Sequence, residues 1–179
     1  NSDASGRVNV KVEGKTITAD VTNGKSKVVL SDLSSGAKSA VISYSGDGKY
    51  TAGSIDKTFN VNKLNPTITV DADDISAGEV ALFTIALNSD ASGIVSLNID
   101  GKSYSSILTG GIAKISVEGL TGGIKKAIIN YTGDNKYLSK DASTSISVNK
   151  LNPQIIIKVD DISAGENAVV NVESSVKDA

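Results

Sequence analysis

The stretch Val95-Ser-Leu-Asn-Ile-Asp-Gly101 decides the reading of this chain. Val95, Leu97 and Ile99 alternate with Ser96, Asn98 and Asp100, the period-2 pattern of a strand that is buried on one face and wet on the other. Asp100-Gly101 then supplies the two residues of a tight hairpin. The pattern recurs 87 residues earlier, as Val8-Asn-Val-Lys-Val-Glu-Gly14. Everything around it recurs as well. Asn1-Ser-Asp-Ala-Ser-Gly6 returns as 88–93, Val61-Asn-Lys-Leu-Asn-Pro66 as 148–153, and Asp73-Asp-Ile-Ser-Ala-Gly-Glu79 as 160–166. Laying residues 1–92 on 88–179 needs no gap and gives 37 identities in 92 positions. A fixed period of this size marks a tandem array, and 87 residues is close to the roughly 100 of an immunoglobulin-type sandwich.

The period is expected to break at Asn-Lys-Leu-Asn-Pro, because Pro gives no N–H to a ladder and restricts the residue before it. Residues 63–149 then form one complete module. Residues 1–62 form a module without its first two strands, and 150–179 form the first two strands of a further one. Within 63–149 the alternation predicts seven strands, near 67–72, 80–87, 95–99, 103–108, 112–118, 124–132 and 142–149, with Asp73–Glu79 as a turn. No stretch has the i, i+3, i+4 spacing of a helix. The expected class is all-β, a tandem array of seven-stranded immunoglobulin-like antiparallel β-sandwiches. The inward side chains are expected to be Phe83, Ile85, Val95, Leu97, Ile99, Ile115, Val117, Leu120, Ile129, Tyr131, Ile146 and Val148.

The missing residue types exclude much chemistry. The 179 residues contain no His, Cys, Met or Trp. Without His or Cys there is no Ser-His-Asp triad, no thiol nucleophile, no disulfide and no zinc site of the usual nitrogen and sulfur kind. With 18 Lys+Arg against 20 Asp+Glu, the net charge of -2 disfavours nucleic acid as a partner, since phosphate binding needs a dense basic patch. No apolar run approaches the roughly 20 residues that span a bilayer, and no signal peptide opens the chain. No enzyme is expected.

The order Gly93, Val95, Asp100-Gly101-Lys102, Gly111, Leu120, Gly123, Tyr131-Thr-Gly-Asp134, Tyr137 and Val148-Asn-Lys150 resembles the immunoglobulin-like repeats of large bacterial and archaeal surface proteins, in particular adhesin-like proteins of methanogens. The first copy carries the same order from Gly6 to Lys63. The resemblance implies an extracellular cell-surface stalk or filament, with neighbouring modules or subunits as partners and a cell wall or host surface beyond them. The alternative it implies is an adhesin domain that binds a glycan or host protein. Many such repeats have Tyr at the start of the sixth strand. Here Ala37 and Ile124 stand there, so the hydrogen bond of a tyrosine corner is not expected.

Candidate sites are few. Gly46-Asp47 and Gly133-Asp134 read as turns in which the Asp side chain caps and the Gly supplies positive φ. Asp73, Asp74, Asp134, Asp160 and Asp161, with Asp71 nearby, are the candidates for an interdomain Ca²⁺ site, although they lack the Asp-x-Asp-x-Asp-Gly series with a bidentate Glu. Lys63 and Lys150, with Asn62, Asn149, Glu79 and Glu166, supply the residue types of a Lys–Asn amide cross-link, which requires a desolvated Lys beside a protonated acid. Asn130-Tyr-Thr132 is an N-glycosylation sequon. The two ends raise a last question. Either the segment belongs to a longer array, or the tail of one copy completes the head of the next by strand complementation.

Overall fold

The computed structural model describes residues 1–175. It contains fourteen strands and, among the described residues, no helix. By packing, the chain divides into two units: residues 1–66 with 132–140, and 67–131 with the residues from 141 onward. Each is described in turn.

In the first unit, β1 (Arg7–Val12), β2 (Lys15–Asp20), β3 (Gly36–Tyr44) and β4 (Gly53–Val61) form one antiparallel sheet in the order β2-β1-β3-β4. β1 and β2 join through Glu13-Gly14, both at positive φ (50° and 77°), which matches the right-handed twist of the two strands. Among the side chains of these four strands, Val10, Val12 and Ala40 are the buried ones. Val8, Val28, Leu30, Leu33, Ile42 and Phe59 pack against them but stay partly exposed. Residues 26–30 adopt no regular structure.

The second unit holds β5 (Ile68–Asp71), β6 (Ile75–Ser76), β7 (Ala81–Leu87), β8 (Ile94–Ile99), β9 (Lys102–Ile107), β10 (Ile112–Val117), β11 (Gly123–Tyr131) and most of β12 (Lys140–Asn149). One sheet runs β10-β7-β5 and the other β6-β12-β11-β8-β9. β5, β7, β8, β9, β10, β11 and β12 lie at or near the stretches where the alternation places strands. The segment read as a plain turn, 73–79, also contains β6, which pairs in parallel with β12 (Val148↔Ile75). The first strand of the sandwich thus starts on one sheet and finishes on the other. The hairpin at Asp100-Gly101 has both residues at positive φ (49° and 74°) and sets Ile99 opposite Lys102.

All twelve side chains expected to point inward are buried. They come from both sheets. Phe83, Ile85, Ile115 and Val117 lie on β7 and β10, and Val95, Leu97, Ile99, Ile129, Tyr131, Ile146 and Val148 lie on β8, β11 and β12. Burying each such side chain contributes roughly 1.5–3 kcal/mol. The last two strands, β13 (Gln154–Val159) and β14 (Val170–Ser175), make a separate antiparallel pair in which every residue is exposed. Residues 176–179 of the expected final segment lie outside the described residues.

Candidate functional site

The polar groups of the two copies are organised around three recurring arrangements. The first is the Gly-Asp turn. Gly46 (φ 75°) lets the chain reverse after β3, and the Asp47 carboxylate gathers the donors around it. Oδ1 accepts the backbone N–H of Lys49 (2.8 Å) and of Tyr50 (2.7 Å), and Oδ2 accepts that of Ser5 (2.7 Å). The Tyr44 hydroxyl lies 2.9 Å from Oδ2 and 2.5 Å from the Ser5 carbonyl oxygen, and its single proton serves one of them at a time. The N–H bonds from Ser5 and Lys49 hold the Asp47 pKa well below the usual carboxylate range. In the second copy Gly133 takes φ 83° and Asp134 Oδ1 accepts the N–H groups of Lys136 and Tyr137, both at 2.7 Å. Tyr131, fully buried, donates to the Ser92 carbonyl at 3.0 Å.

A tyrosine hydroxyl therefore does tie the end of a strand to a distant backbone carbonyl, contrary to the reading that put this bond in doubt. Tyr44 and Tyr131 make it from the end of β3 and β11, seven residues after the positions where a tyrosine was sought.

The second arrangement reinforces the turn in the first copy. Asp3 pairs with the Lys49 ammonium and accepts the Tyr50 hydroxyl at 2.6 Å, and Lys49 first, then Tyr50, draws its pKa down. Lys49 Nζ also lies 5.4 Å from the Tyr50 ring centroid, and Lys136 lies 5.5 Å from that of Tyr137.

The third arrangement was not foreseen. Lys38 on β3 reaches Glu13 in the β1–β2 turn at 2.5 Å, and Lys125 on β11 reaches Asp100 in the β8–β9 turn at 2.7 Å. Each ammonium also donates to a hydroxyl, Ser34 at 2.6 Å and Thr121 at 2.8 Å. The two lysine side chains are only 10% and 11% exposed. Lys38, and after it the Ser34 hydroxyl, lowers the Glu13 pKa to about 2. A lysine reads as a surface residue, so only its recurrence with an acid 25 positions earlier in both copies could have signalled the pair.

The remaining candidates are dispersed. Asp74 Oδ1 accepts the Ser147 N–H at 2.7 Å, while Asp73, Asp160 and Asp161 are exposed. Among the described residues no three His, Cys, Asp or Glu side chains gather in a metal-binding group. Glu79 and Glu166 cap their own turns, accepting the N–H of Ser76 (2.6 Å) and Ser163 (2.8 Å), and Lys63 and Lys150 are exposed. The desolvated pairing that an amide cross-link requires is not formed by these residues. Asn130 is half-buried and donates from Nδ2 to Asp141.

No protein-family model matches the chain, and no curated protein does. Among solved structures, the fibronectin(III)-like modules of CbhA from Clostridium thermocellum align with 84% of this chain and 82% of that one, at 15% identity and a TM-score of 0.41. The all-β class rests on this chain's own strand order.

Proposed function

We propose that the chain is a run of structural repeats from an extracellular, cell-surface stalk or filament of the adhesin-like kind, whose partners are its neighbouring repeats. One observation carries this reading: the polar groups that recur at 87 residues are spent on holding turns. Asp47 and Asp134 cap the reversal after equivalent strands, and Lys38 and Lys125 lock equivalent hairpins. What is repeated is a scaffold. Arrays of this type gain stability from the core of each unit together with contacts to its neighbours. An extracellular setting and a wall or host surface beyond the array extend the same reading.

Pulling the 179-residue chain end to end in a single-molecule instrument tests it. A load-bearing repeat of 87 residues releases a contour length of about 290–310 Å when it unfolds, less its folded end-to-end length. A discrete rupture of that size is the expected result. Smooth extension without a rupture, or saturable binding of a glycan or host protein by the same chain, would overturn the scaffold reading.

A further inference from the structure

We infer that the complete repeat carries a force clamp, in which the segment that enters it (64–76) is bonded in parallel to the segment that leaves it (137–149). The inference deepens the scaffold reading by naming the bonds that take the load, and rests on it for its biological sense.

The two segments keep one register. Leu64 bridges Tyr137 in parallel, Ile75 pairs with Val148 and Ser76 with Asn149, and the partners stand 73 residues apart each time. At the first bridge the Leu64 N–H donates to the Lys136 carbonyl at 2.8 Å, and the Leu138 N–H to the Leu64 carbonyl at 2.9 Å. The Lys140 ammonium adds a bond to the Pro66 carbonyl at 3.0 Å. At the second pairing the Ala77 N–H donates to the Asn149 carbonyl at 2.8 Å. The Ser147 N–H donates to Asp74 Oδ1 at 2.7 Å, so a side chain extends the ladder one residue before β6 begins.

The parallel sense decides how these bonds meet tension. When a repeat is drawn out by its two ends, β6 is pulled toward its start and β12 toward its end. In parallel strands those directions oppose each other, and the strands must slide. Ladder bonds lie across the strands, so sliding strains all of them together. A hairpin drawn apart at its open end instead meets the force one bond at a time. Each bond contributes little by itself, and sharing the load is what makes the set strong.

Both partners are anchored. Glu79 Oε2 accepts the Ser76 N–H at 2.6 Å, and the Glu79 N–H donates to the Ser76 carbonyl at 3.1 Å, closing the turn behind β6. The same turn forms from Ser163 to Glu166 with bonds of 2.8 Å and 3.0 Å, so it is encoded locally. On β12, Ile146 and Val148 are 1% and 3% exposed. Sliding that strand must also drag them out of a close-packed core.

The chain has no Cys, so introduced cysteine pairs set the pulling axis on the full 179-residue protein. Lys63→Cys with Lys150→Cys, both exposed, loads the clamp in shear. Ile94→Cys with Ile107→Cys, 49% and 70% exposed and paired at the open end of the β8–β9 hairpin, peels the edge strand β9. At equal pulling speed, the first axis should give one rupture at a higher force than the opening on the second. The contour released should be about 290–310 Å on the first axis and about 43–47 Å on the second, less the folded separations. Asp74→Ala should raise the unfolding rate at fixed force about two- to ten-fold on the first axis and leave the second unchanged. Asp74→Asn keeps an acceptor oxygen and should restore the rate. Unchanged amide exchange in β8 and β11 shows that the Asp74→Ala protein remains folded. A first-axis rupture no stronger than the second-axis opening, or one that Asp74→Ala leaves unchanged, would overturn the clamp. The scaffold reading then stands, because the discrete rupture is still seen. Smooth extension on the first axis would overturn both.

Discussion

The Lys125 ammonium stands 2.7 Å from the Asp100 carboxylate, and Lys38 stands 2.5 Å from Glu13 at the equivalent place 87 residues earlier. Each pair fastens the beginning of a long strand, at its third residue, to the tip of the hairpin beside it. The acids sit at positive φ (49° for Asp100, 50° for Glu13), a conformation tolerated in a two-residue hairpin but disfavoured for a residue with a Cβ. The nearly buried lysines fix those tips in place.

Acid should therefore loosen the first unit. Glu13 has its folded pKa depressed to about 2 by Lys38 and the Ser34 hydroxyl. A depressed carboxylate adds stability that is present above its unfolded pKa near 4.5 and lost as pH falls toward 2. Asp47 and Asp3, also held below the usual range, act in the same sense. Tm should fall steadily between about pH 4.5 and 2, and Glu13→Gln should flatten part of that slope. A Glu13 carboxyl that titrates near 4.5 by NMR would contradict the pairing.

Core truncation separates inward from outward positions. Leu97 is completely buried on β8, and Leu97→Ala should cost about 2–5 kcal/mol in denaturant unfolding. Ile124 on β11 is 80% exposed, and Ile124→Ala should change stability by less than about 0.5 kcal/mol. Equal effects at the two sites would contradict the strand register.

The alternation that selects Leu97 also shows which features a sequence displays. Period-2 patterning is local, so strands, hairpin tips and all twelve inward side chains could be read directly. β6 could not. It is two residues long, and its pairing with Val148 depends on chain more than 70 residues away. The lysine pairs stayed hidden for another reason. Nothing near Lys38 or Lys125 distinguishes a buried ammonium from a solvated one until the turn acid is brought over it. The Tyr44 and Tyr131 bonds were sought at the wrong end of the strand, because the rule applied to them fixes a position, whereas the chemistry needs only a hydroxyl beside an open carbonyl.

The tyrosine bond has its own measurable worth. Tyr131 is buried and donates to the Ser92 carbonyl at 3.0 Å. Tyr131→Phe keeps the ring and removes the donor, so it should lower stability by about 0.5–1.5 kcal/mol, seen as a shifted denaturant midpoint at unchanged slope. A midpoint equal to that of the wild type would mean that the hydroxyl contributes nothing.

Two glycines of similar conformation should respond in opposite ways. Gly101 and Gly111 have φ of 74° and 76°, so a side chain at either is strained by about 1–2 kcal/mol. Around Gly101 nothing lies within 4 Å of an added Cβ, and Asn, which tolerates positive φ, should be accepted there at little cost. At Gly111 the added atom would fall 2.3 Å from the Asn88 carbonyl oxygen and 2.8 Å from Ser89 Cα, both backbone. That carbonyl cannot rotate away as a side chain can, and the Gly111 carbonyl itself accepts the Leu87 N–H at 2.8 Å. Gly111→Asn must therefore displace the loop that follows β7 and disturb the last pair of β7 with β10. Gly111→Asn should lower the denaturant midpoint well beyond Gly101→Asn, and should speed amide exchange at Leu87 before it does so at Leu97. Comparable midpoints for the two variants would show that the loop after β7 yields freely, and that the close approach of Gly111 to Asn88 does not constrain the sandwich.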